Sequence, residues 1–85
     1  MALNILRYIE TYGQVNRREE SFTPTPSQTV FNIAETPLDP SEVSFILNGL
    51  TYETGVDFSV SGTTVTWLNP LVLNGSDLVE IIYFV

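Results

Sequence analysis

Asn48-Gly49, set between two short runs of alternating apolar residues, constrains this chain more than any other feature. A type I′ turn needs positive φ at both central positions, and Asn-Gly is among the few dipeptides that accept it. A two-residue loop there pairs Leu47 with Leu50 and Phe45 with Tyr52, so the apolar sides coincide. The stretch from Pro37 to Trp67 keeps the same cadence. Thr54-Gly55 interrupts, Val56, Phe58 and Val60 alternate, and Ser61-Gly62 turns the chain toward Val65 and Trp67. A two-residue loop at that turn pairs Phe58 with Val65. A four-residue loop over residues 61–64 pairs Val60 with Val65 and Phe58 with Trp67. Both keep the large residues on one face; a three-residue loop splits them and is rejected on register.

The flanks continue the β pattern. Thr29, Phe31 and Ile33 alternate with Val30, Asn32 and Ala34. Pro37-Leu38-Asp39-Pro40 breaks that strand, because proline cannot donate to a ladder. Asn69-Pro70 closes the strand ending at Trp67, and Asn74-Gly75-Ser76-Asp77 is a further turn. The last strand, residues 78–85, carries Val79, Ile81, Tyr83 and Val85 on one face. Its other face carries Leu78, Ile82 and Phe84, with Glu80 the only charge. A strand apolar on both faces calls for cover on both. The expectation is a central strand with the N-terminal segment over its outer side, or a strand at an interface with another chain. Five to seven short strands with turns every 8–12 residues predict a mainly β fold. The expected form is a small antiparallel β-sandwich or barrel, Ig-like, preceded by an N-terminal arm.

Residues 1–26 are assigned to the arm and a Pro/Thr linker, and residues 27–85 to the β-domain. In the arm, Ile5, Ile9 and Tyr12 are spaced i, i+4, i+7 with Leu6 beside them, which suits a short helix. Tyr8-Ile9 and Thr11-Tyr12 suit an extended segment equally well. Gly13 stops either. The stretch SFTPTPSQ has two prolines that hold the backbone extended, and Pro24 biases Thr23 the same way.

Composition then narrows the function. The chain has 85 residues, no His and no Cys. A core of that size is marginal, and disulfides and structural zinc are removed as supports. Association is the remaining one. The first residues lack the apolar core of a signal peptide, and no apolar run nears the ~18 residues of a membrane span. All three basic residues, Arg7, Arg17 and Arg18, lie in the first eighteen positions, where Glu10, Glu19 and Glu20 balance them. Residues 21–85 hold the remaining acids and no base, so they carry the whole net charge of −7. Such a body repels nucleic acid, which demands phosphate neutralisation. The charge serves solubility or a basic partner surface.

No catalytic constellation is present. Asp57 and Asp77 flank turns, where carboxylates commonly bond nearby N–H groups. The acids are scattered singly, without the spacing of a calcium loop. No metal or cofactor is expected. Trp67 and Tyr52 alternate with core positions and are assigned to the core, whereas Tyr8 and Tyr12 in the arm are interface candidates. Arg17-Arg18-Glu19-Glu20 reads as solvated charge, or as arginines that clamp carboxylates on a neighbouring subunit.

The run from Gln28 to Tyr83 resembles a small β-module of tailed-bacteriophage virion structural proteins. The matching residues are 28–33, Asp39-Pro40 with Val43 and Phe45, and Leu47-Asn48-Gly49. They continue with 55–60, Gly62, Val65-Thr66-Trp67-Leu68 and Asp77-Leu78-Val79. The similarity covers about two thirds of the chain. Such modules occur in fibres, tails, necks and capsid-bound proteins, so the resemblance implies a virion setting and no enzymatic residue. An arm followed by a lone module suits a capsid decoration, or cement, protein. The expected partner is the major capsid protein or another virion protein, with the chain a homotrimer or dimer, and with no nucleic-acid or membrane partner. The residues expected to bind partners are Leu3, Ile5, Leu6, Tyr8, Ile9, Tyr12, Arg17, Arg18, Ile82 and Phe84. The alternative is a tail, neck or fibre-associated component with receptor or glycan contact. In either case the chain would be assembled in the host cytoplasm and reside in the virion.

Overall fold

A computed structural model describes residues 16–85. Among these residues seven strands make up two antiparallel sheets. They are β1 (Arg17–Phe22), β2 (Val30–Asn32), β3 (Ser44–Leu47), β4 (Leu50–Tyr52), β5 (Phe58–Ser61), β6 (Thr64–Trp67) and β7 (Val79–Phe84). One sheet has the order β1-β7-β3-β4 and the other β2-β6-β5. Among the described residues the only helical element is a 3-10 turn at Pro40–Glu42. Its cap is Asp39, whose Oδ1 accepts from the Ser41 N–H at 2.9 Å.

Both hairpins follow from their turns. Asn48 and Gly49 have φ of 50° and 84°, and β3 meets β4 with Leu47 opposite Leu50 and Phe45 opposite Tyr52. In the second hairpin Val60 faces Val65 and Phe58 faces Trp67, the pairing of the longer of the two candidate loops. Ser61 and Thr64 also pair, which narrows the turn to Gly62-Thr63. Gly62 has φ of 58° at the first central position, where a type II′ turn wants glycine.

The two sheets are joined by aromatic rings. Phe45 on β3 is fully buried and touches three rings of the opposite sheet. Its centroid lies 4.8 Å from Trp67, 5.3 Å from Phe58 and 5.8 Å from Phe31. Tyr52 meets Trp67 edge-on at 5.0 Å, and Phe22 meets Phe31 edge-on at 5.5 Å. Each of these contacts crosses from one sheet to the other. Val43, Leu47, Val79, Ile81 and Tyr83 complete the core from the larger sheet, and Ile33, Val65 and Leu73 from the smaller side. Offset and edge-on pairs add about 0.5–1.5 kcal/mol each beyond the area they bury.

Residues 17–22 fall within the arm and linker expected over 1–26, yet they are part of a sheet. They form β1, the end strand beside β7, with Arg17 opposite Phe84 and Phe22 opposite Val79. Phe22 packs on the core, and Pro24 is buried. Apolar side chains at these two positions draw the segment onto the sheet, although RREE ahead of them has no alternating pattern. The last strand is central, with β1 and β3 on either side, but the described part of the N-terminal segment lies beside it in the sheet and not over its outer face, where Ile82 and Phe84 stay partly exposed. The strand spans 79–84, and Leu78 precedes it at an exposed position.

Replacing Phe45 by Ala removes three inter-sheet ring contacts at once. The expected cost is about 3–5 kcal/mol, a large share of the stability of a domain this size. Urea denaturation followed by tryptophan emission would show it as a lowered midpoint. Val30→Ala, at an exposed position on β2, should leave the midpoint nearly unchanged.

Candidate interaction surfaces

Leu3, Ile5, Leu6, Tyr8, Ile9 and Tyr12 lie outside the described residues. Of the four remaining candidates, three meet on one face. Cross-strand partners share a side of the sheet. Arg17 is opposite Phe84, and Glu19 is opposite Ile82. On the other flank of β7, Ser44 is opposite Ile82 and Ile46 is opposite Glu80. The outer face of the larger sheet therefore carries a diagonal apolar stripe, Ile46, Ile82 and Phe84. Arg17, Glu19, Glu80 and Ser44 border it. The three apolar side chains are partly exposed, shielded in part by the stems of their polar neighbours. Arg17 and Glu19 make only a loose contact at 3.7 Å, and both remain exposed. Ion pairs of this kind contribute little.

Arg18 points to the opposite side of β1, so it does not join that stripe. Its Nε donates to Glu35 Oε2 at 2.5 Å. The adjacent Tyr83 is buried, and its hydroxyl donates to Glu20 Oε2. The Glu35 N–H donates to the Tyr83 hydroxyl at 3.3 Å, and the Ala34 N–H donates to Glu20 Oε2 at 3.0 Å. These bonds tie β1 and β7 of one sheet to the segment leaving β2 of the other. The bond to Glu35 holds the Arg18 guanidinium above its ordinary value. Burial, followed by the bond to Glu20, pushes the Tyr83 phenol above its own. Arg18 is thus engaged within the chain, whereas Arg17 is the cation offered outward.

Asp57 and Asp77 serve turns. Asp57 accepts from the Glu53 N–H at 3.0 Å and from Asn69 Nδ2 at 2.9 Å. Its carbonyl accepts from the Leu68 and Asn69 N–H groups. Asp77 accepts from the Asn74 N–H and from Asn48 Nδ2, each at 2.9 Å. Among the described residues no group of three or more Asp or Glu side chains is placed to hold a metal ion.

The Asp57 bonds build a second surface that the sequence pattern did not flag. They bring the loop after β4 against the loop after β6. Trp67 Nε1 donates to Leu71 O at 2.8 Å and fixes the second loop from below. Val56, Leu68, Leu71 and Val72 are left 51–64% exposed on these loops. In sequence, Leu71-Val72-Leu73 looks like an ordinary apolar run, and only Leu73 enters the core. Separately, an open groove of about 790 Å³ runs between residues 41–44 and 51–55. Glu42, Glu53 and several hydroxyl groups line it, with no cation among them.

Both turn aspartates have folded-state values held below the ordinary 3.8, chiefly by bonds to the Glu53 N–H for Asp57 and to Asn48 for Asp77. Their contribution is present above pH 3.8 and is lost as pH falls through the depressed folded values. Thermal melts of wild type and Asp57→Asn/Asp77→Asn should therefore differ most near neutrality and converge as pH falls below 3.8 through the depressed folded values. A gap between the melting curves that does not change with pH would contradict this role. Comparison of the chain with protein-family models, with curated proteins and with solved structures yields no match.

Proposed function

We propose that this protein is a non-enzymatic structural component of a tailed-phage virion, and specifically a capsid decoration protein that binds and stabilises the shell. The observation that carries the reading is the apolar stripe of Ile46, Ile82 and Phe84 on the outer face of the larger sheet. A core-like stripe on an exterior face fits a protein that is completed by docking. Arg17 at its border would add a charge-assisted contact to a partner carboxylate. Residues 1–15, with Leu3, Ile5, Leu6, Tyr8, Ile9 and Tyr12, would extend that contact along the capsid surface. The resemblance of residues 28–83 to virion β-modules supplies the setting, and the acidic body argues against a nucleic-acid partner. In this reading the two sheets form a small Ig-like β-sandwich, and the chain acts as a dimer or trimer.

The second reading, a tail, neck or fibre-associated component, is favoured by the exposed loop cluster of Val56, Leu68, Leu71 and Val72. Such an exposed apolar loop pair suits a contact made in few copies.

Quantitative mass spectrometry of purified source particles separates the two readings. Decoration predicts a copy number near that of the major capsid protein or a simple fraction of it. A handful of copies would favour the second reading, and absence from particles would overturn both. Ile82→Ser and Phe84→Ser test the surface itself. Each should cost the isolated domain about 1 kcal/mol or less, because these side chains are already partly exposed. Each should weaken binding to shells lacking the protein by about tenfold or more, as expected for a central apolar contact. Binding unchanged by both would remove the stripe from the interface.

A further inference from the structure

The open edge of β1 offers a further interaction surface, which adjoins the stripe at Arg17 and Glu19. Its hydrogen-bond phase is set where the strand begins. The Asn16 N–H donates to Val85 O at 3.0 Å, and the Val85 N–H donates to Asn16 O at 2.9 Å. In an antiparallel ladder such reciprocal pairs alternate with pairs whose backbone groups point away. The unbroken register from Arg17↔Phe84 to Phe22↔Val79 then turns residues 18, 20 and 22 toward β7. The N–H and C=O groups of Arg17, Glu19 and Ser21 face outward. The other flank of β7 agrees, since the Asn48 N–H donates to Leu78 O and so directs the even positions of β7 toward β3. Among the described residues β1 has no neighbour on its outer side.

Charges on an edge strand ordinarily discourage pairing. Here their order makes one pairing attractive. We propose that β1 pairs antiparallel with β1 of a second copy about a two-fold axis at Arg18, joining the two four-stranded sheets into one. Because the outward groups sit on odd-numbered residues, bonded pairs must match odd with odd. Centring on Arg18 sets Arg17 opposite the partner's Glu19, and by symmetry does so twice. Centring on Glu19 sets that carboxylate against itself. Arg17 and Glu19 are both exposed and only loosely joined at 3.7 Å, so they are available to exchange partners. Arg18 would face its own copy across the axis, but each guanidinium is already neutralised by Glu35 at 2.5 Å. The contact is isologous, as two-fold dimers require.

This inference deepens the oligomer part of the proposed function, and its test uses the free full-length chain without particles. A monomer would therefore leave particle binding to be judged separately. The chain has no cysteine, so single cysteines report the register directly. In the Arg18-centred pairing, Arg18→Cys meets itself at a non-bonded position with Cα atoms about 4.5 Å apart, within disulfide reach. Under mild oxidation Arg18→Cys should cross-link far faster than Ser76→Cys, an exposed turn position used as background. Sedimentation should show a dimer that Arg17→Glu or Glu19→Arg weakens about tenfold and that the Arg17→Glu/Glu19→Arg exchange restores. Circular dichroism checks that each variant keeps its β spectrum. A monomer at all concentrations with background cross-linking of Arg18→Cys would overturn the proposal. Preferential cross-linking of Glu19→Cys would overturn the register, and failure of the charge exchange to rescue would remove the Arg17–Glu19 pairing.

Discussion

Phe45 is the residue around which the two sheets are assembled. A small domain without disulfides has few ways to hold two sheets together, and large rings are the most effective. Phe45 reaches Phe31, Phe58 and Trp67, one from each strand of the smaller sheet. Tyr52 and Phe22 extend the contacts to the two end strands of the larger sheet. Register and packing thereby depend on each other. A one-residue slip in either hairpin would turn Phe45, Phe58 or Trp67 to solvent and break the chain of rings.

The polar residues complement this core. The acidic composition points to solubility or a basic partner surface, and within the fold several carboxylates have defined tasks as well. Asp57 and Asp77 accept from loop N–H groups and side-chain amides, and Glu20 accepts from Ala34 and from the buried Tyr83 hydroxyl. Glu35 holds Arg18. Backbone groups in short loops have no ladder partner, and a nearby carboxylate is the simplest acceptor for them. Part of the negative charge therefore organises turns or links the two sheets, while Arg17 and Glu19 stay unengaged enough to act between molecules.

The hairpins were legible because turn chemistry and apolar alternation agree there. Asn48-Gly49 and Gly62 impose positive φ, and Phe45, Tyr52, Phe58, Val65 and Trp67 show which faces must coincide. The end strand β1 was not legible, since RREESF shows neither alternation nor β-branched residues. Its place is set by β7, which supplies the ladder, and by Phe22, which needs the core. The candidate surface was half legible. Ile82 and Phe84 stood out as a second apolar face on the last strand, but Ile46 joins them only through the pairing of β3 with β7. The exposed cluster around Leu68 and Val56 left no local signature, because it arises from bonds to Asp57 across twelve residues.

By itself, the sequence determined the β class, the register of the Asn48-Gly49 hairpin, two candidate registers for the second hairpin, and the apolar face that the hairpin strands turn inward. All of these depend on interactions between near neighbours, where turn φ values and period-two patterning act. Tertiary structure alone decided which strands beyond the two hairpins became sheet neighbours, that Arg18 would be held by Glu35 while Arg17 was left outward, and which backbone groups of β1 remained open. Those outcomes depend on pairings between residues distant in the chain, from 17 positions for Arg18 with Glu35 to 63 for Glu20 with Tyr83, and local sequence carries no record of such a partner.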